Sequence, residues 1–90
     1  LERIIPLAGK HSHKFVDQYD GMVALGFSRD VDEKSIIYLL QKFSDDELLK
    51  ILVPRLADKE ISELFELIFR LLRAHLSDEE YHRLFLKDEE

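Results

Sequence analysis

The residues best suited to chemistry are His11, His13 and Asp17. Imidazole and carboxylate are ligands for zinc or manganese. His11 and His13 share a face only on a strand, whereas His13 and Asp17, at i and i+4, share one on a helix. That pair would supply half of a tetrahedral site. No second histidine-rich cluster is placed to complete it, so a solvated helix start is the favoured reading. A metal- or small-ligand-binding helical protein using His11, His13 and Asp17 is the alternative, and no cofactor is expected.

The remaining candidates are weaker. Asp45-Asp46-Glu47 and Asp78-Glu79-Glu80 are acidic, but calcium loops alternate their ligands around a turn glycine. First-turn acids complementing a helix dipole account for both triplets. None of the six serines sits in a glycine-flanked nucleophile elbow. Gly9, Gly21 and Gly26 are too scattered for a phosphate loop. Without cysteine, thiolate nucleophiles, disulfides and Cys-type metal sites are excluded. The chain is therefore expected not to be an enzyme.

Composition narrows the classes further. The chain has 90 residues, 46% hydrophobic and 36% charged, with a net charge of −6. That balance suits one small folded domain, with little stability margin for its size. The negative field opposes phosphate backbones, so no nucleic-acid partner is expected. Apolar runs such as Leu67-Ile68-Phe69 fall far short of the ~20 residues of a membrane span. A cysteine-free, soluble chain suits a reducing cytoplasm.

The elements that must position these residues are helical throughout. Glycine and proline are few, and Leu, Glu, Lys and Arg favour helix. Residues 1–9, with Ile4, Ile5 and Leu7 around Pro6, read as an irregular arm. A first helix is expected from Ser12 to Leu25, with Phe15, Tyr19, Met22 and Val23 on one face and Gly26 as its stop. Capping-box spacings then recur at Asp30/Glu33, Ser44/Glu47 and Ser77/Glu80, and Asp58 opens a further helix. Helix two, about 31–43, is expected to point Ile36, Leu39, Leu40 and Phe43 inward. Helix three, about 45–56, carries Leu48, Ile51, Leu52 and Leu56, with Pro54 bending or ending it. The last helix, about 78–86, offers Tyr81, Leu84 and Phe85. The expected architecture is all-α: a compact bundle of about five helices with sharp corners around a central apolar helix at about 58–76.

That central helix carries the functional expectation. At ~100° per residue, Ser62, Glu63, Glu66, Arg70 and Arg73 gather in one polar arc, and apolar residues cover more than half of the circumference. Such a helix needs cover on several sides, from its own bundle or from another chain. Either the flank of Leu67, Leu71 and Ala74 or that of Phe69 and Leu76 would meet a partner. The expected function is a non-enzymatic interaction or regulatory module that forms a homodimer or binds a partner protein. Phe65, Leu67, Phe69, Leu72 and Leu76 would be buried there, ringed by Glu66, Arg70 and Arg73. His75 falls within the apolar arc and His82 lies across the next corner, so these two are candidates for a ligand-binding or pH-sensitive contact.

Overall fold

The structure, a computed structural model, describes residues 13–88. The irregular arm, Ile4, Ile5, Leu7 and His11 lie outside the described residues. Those described are all-α, with five helices and no strand. They group into two compact units, residues 13–56 and 57–88.

In the first unit the expected helix over Ser12–Leu25 reduces to a single turn, α1 (Phe15–Gln18). Tyr19 is already extended, with φ −80° and ψ 123°. Its ring stacks on Phe15 at 5.0 Å, and its hydroxyl donates to the Met22 carbonyl at 2.6 Å. The chain folds back tightly enough that a Cβ on Gly21 would lie 2.6 Å from the Tyr19 oxygen. Glycine within the expected helix thus marks a local turn that competes with helix. Met22 and Val23 are exposed. Gly26, expected as a helix stop, has φ 99° and follows no helix. Its N–H donates to Asp32 Oδ1 at 2.8 Å and turns the chain into α2.

Helix α2 (Arg29–Phe43) is capped by Ser28, whose hydroxyl accepts from Val31 N–H, and not by Asp30. Asp30 instead pairs with Lys34 at 3.1 Å on the exposed surface. The inward face also differs from expectation. Ile36, Leu39, Leu40 and Phe43 are 40–59% exposed, whereas Ser35 is buried at 2%. Ser35 Oγ accepts from Ala24 N–H at 2.8 Å and donates to the Met22 carbonyl at 3.3 Å. One turn along, Tyr38 meets Tyr19 at 5.9 Å, and Gln41 Oε1 accepts from Val16 N–H at 2.9 Å. The helix face that packs on α1 and its following loop is therefore polar, because it must satisfy loop backbone groups that have no ladder partner.

Asp45, not Ser44, caps α3 (Asp46–Leu52), accepting from Glu47 and Leu48 N–H. Ser44 closes α2 instead. Pro54 ends α3 as expected: the chain tightens into a 3₁₀ turn, Val53–Arg55. Leu52 and Leu56 are half-buried, whereas Leu48 and Ile51 are exposed.

The second unit holds α4 (Asp58–His75) and α5 (Asp78–Glu80), which runs on as a π-helical segment, Tyr81–Leu86. Ala57 occupies the cap position before α4, and the Glu60 carboxylate accepts its N–H at 2.8 Å. Asp58 is thus the first helical residue. Only Leu76 and Ser77, both extended, separate α4 from α5, the sharp corner expected there. Ser77 and Glu80 form the expected reciprocal box at 2.8 and 3.1 Å. The π segment ends at Lys87, in the left-handed region at φ 58°, and His82 Nδ1 pairs with Asp88 at 3.1 Å beyond it. Of the expected inward residues, Tyr81 and Phe85 are half-buried and Leu84 is exposed; Leu86 is the buried one, at 8%.

Candidate interaction surface

Helix α4 is built from strong helix formers without glycine or proline, so its side chains hold fixed angular positions. Phe65, Phe69, Leu72 and Leu76 lie on one flank at spacings of four, three and four. Here the chain supplies its own cover. Phe69 is 5% exposed; its ring centre is 4.8 Å from Phe65 and 6.0 Å, edge-on, from Phe85. Tyr81 stacks on Phe85 at 5.6 Å to complete the cluster. Aromatic pairs in these geometries add about 0.5–1.5 kcal/mol each beyond area burial.

The neighbouring flank has no such cover. Ile61, Leu64, Leu67, Ile68 and Leu71 are each 37–45% exposed. Ile61, Leu64, Ile68 and Leu71 follow one another at three, four and three residues, the spacing of a coiled-coil seam. Their row is centred about 90° around the helix from the Phe69 flank. The polar arc expected from the wheel is present: Glu66, Arg70 and Arg73 are exposed and line a concavity beside Phe65 and Leu67.

The structure therefore divides the expected interface residues. Phe69 is enclosed within its own unit, and Leu72 and Leu76 are half-buried. Phe65 and Leu67 remain accessible, as do Glu66, Arg70 and Arg73. Ile61, Leu64 and Ile68 were not among the expected interface residues. Their three–four spacing is the signal for them, and they lie between the two flanks expected to meet a partner, that of Leu67, Leu71 and Ala74 and that of Phe69 and Leu76. On α2, Ile36, Leu39, Leu40 and Phe43 form a second exposed stripe, in the other unit.

No protein-family model, curated protein or solved structure shows a significant similarity to the chain.

The residues singled out for ligand chemistry are dispersed. His13 is exposed, with Nε2 2.9 Å from Ser44 Oγ. Asp17 borders a shallow concavity on the first unit together with Gln41, Lys42 and Asp45, where the lysine already supplies a positive charge. Among the described residues no three His, Cys, Asp or Glu side chains converge on one point. His75 is exposed at the end of α4, and the partner found for His82 is Asp88. Glu80 is the group whose acidity clearly moves. Its carboxyl is held below the usual carboxylate range by the hydrogen bond from the Ser77 backbone, then by the Ser77 hydroxyl, with Arg83 adding a smaller attraction. That is a helix cap at work. No helix among the described residues is long and apolar enough to cross a membrane.

Proposed function

We propose that this chain is a non-enzymatic interaction module that self-associates or binds another protein through the apolar flank of α4. The observation supporting this reading is the row Ile61, Leu64, Ile68 and Leu71, with Leu67 beside it, left accessible on a helix whose other apolar flank is closed by its own chain. A contiguous exposed apolar row is a feature of protein-binding surfaces. A reducing compartment such as the cytoplasm suits a sequence without cysteine.

Sedimentation velocity from about 1 to 100 μM, the range in which a modest interface associates, tests the self-association branch. Binding of an apolar fluorescent dye tests the accessible surface that both branches need. Leu71→Glu, on the exposed flank, should abolish both signals while leaving helix content unchanged. A strictly monomeric wild type that binds no dye would refute the proposal.

A further inference from the structure

We infer that the loop joining α1 to α2 is a pre-formed apolar knob that inserts into another protein, at a pocket rimmed by lysine or arginine. This surface belongs to the first unit and does not rest on the α4 reading.

Residues 21–27 run Gly-Met-Val-Ala-Leu-Gly-Phe, seven positions without a polar side chain. Such a stretch suits a core, yet Leu25 is 80% and Phe27 71% exposed, and Met22 and Val23 are exposed as well. Apolar side chains left together in water mark a contact site. The loop is also held in shape. The Met22 carbonyl accepts from the Tyr19 hydroxyl at 2.6 Å and from Ser35 Oγ at 3.3 Å. Ala24 N–H donates to Ser35 Oγ and Gly26 N–H to Asp32 Oδ1, both at 2.8 Å. These bonds fix the backbone and leave Leu25 and Phe27 uncovered. A loop ordered before it binds gives up little conformational freedom on docking, so its apolar side chains serve as anchors.

Charge selects the partner. No lysine or arginine lies between Lys14 and Arg29, whereas Asp17 and Asp20 precede the loop and Asp30, Asp32 and Glu33 follow it. Arg29 and Lys34 are taken up by Glu33 and Asp30. An anionic bilayer repels that field and finds no cation on the loop to hold it. An apolar pocket with a basic rim complements both the side chains and the charge.

The photo-cross-linker p-benzoylphenylalanine in place of Leu25 should label one protein in an extract of the source cells, and in place of Lys50, exposed on α3, should not. The labelled protein, identified and purified, is then titrated with the chain. Leu25→Ser and Phe27→Ser should each weaken binding at least about tenfold with helix content unchanged, since neither side chain is packed. Raising salt from about 50 to 300 mM should weaken it too. Ser35→Ala keeps the loop's side chains and charge and should still cost affinity, by releasing the Met22 and Ala24 anchors. Unchanged affinity in both loop variants, or none of the salt dependence, would overturn the proposal, as would no labelling from position 25. Labelling of a second copy of the chain, or Phe27-dependent binding to phosphatidylserine or phosphatidylcholine vesicles, would overturn it in favour of that occupant.

Discussion

Replacing Phe69 by alanine separates the two flanks of α4 most sharply. Phe69 is 5% exposed, with Phe65 at 4.8 Å and Phe85 at 6.0 Å. Truncation of a buried phenylalanine costs about 3–5 kcal/mol, from lost transfer energy plus the cavity left behind. Two aromatic contacts at about 0.5–1.5 kcal/mol each lie within that total. A small domain has only about 5–15 kcal/mol to lose, so about a fifth or more of its stability rests on this ring. Ile68, one residue earlier but 45% exposed, provides the control. Ile68→Ala in dilute protein should cost only about 1 kcal/mol, because much of its surface already faces water. Native-state hydrogen exchange of α4 amides in low urea reads the opening of this unit by itself. A loss below about 1 kcal/mol for Phe69→Ala, or one no larger than for Ile68→Ala, would refute the assignment of the two flanks.

Ser35→Ala should destabilise the first unit by about 1–3 kcal/mol. It leaves the Ala24 N–H and the Met22 carbonyl without the partner they have at 2.8 and 3.3 Å. Faster exchange of the Ala24 amide is the local signature, and an unchanged rate would count against it. Glu80 should titrate below an unfolded-state glutamate, because the ionised carboxylate accepts the Ser77 N–H. Its contribution to stability is therefore fully present above the unfolded pKa and is lost as pH falls through the lower, folded one. Carboxyl carbon-13 titration of native and urea-unfolded protein checks this, and equal pKa values would refute it.

What could be read from the sequence depended on whether residue type or backbone conformation decided a position. Ser77 and Glu80 form their box as expected, with Ser77 extended at φ −72° and ψ 167° beside Asp78, which also suits a cap. Ser28 and Asp30 both suit a cap, as do Ser44 and Asp45. In each pair the choice fell to the residue whose backbone is extended: Ser28 at φ −158° and ψ 161°, Asp45 at φ −63° and ψ 136°. Residue type does not reveal that. Helix class and the break at Pro54 were legible because local propensity and sterics decide them. The buried face of α2 was not. Apolar periodicity pointed to Ile36, Leu39, Leu40 and Phe43, but the neighbouring segment is a loop whose backbone needs hydrogen-bond partners. A short hydroxyl at Ser35 meets that need where an aliphatic side chain would leave polar groups unsatisfied.

The same distinction explains why α4 was harder to interpret than to locate. Its apolar arc is wide enough to hold two rows, and a wheel gives their angles but not which row the chain covers for itself. The C-terminal segment decides this. Tyr81 and Phe85, four residues apart on the π-helical segment, stack on each other, and Phe85 meets Phe69 edge-on. Once that flank is closed, changes there act on the folding of the unit at every protein concentration. Under the proposed interaction reading, changes along Ile61, Leu64, Ile68 and Leu71 should instead act on association and depend on concentration. The two rows are adjacent on one helix and chemically alike, so composition cannot explain a difference in that dependence. Only the asymmetry of cover seen around Phe69 can.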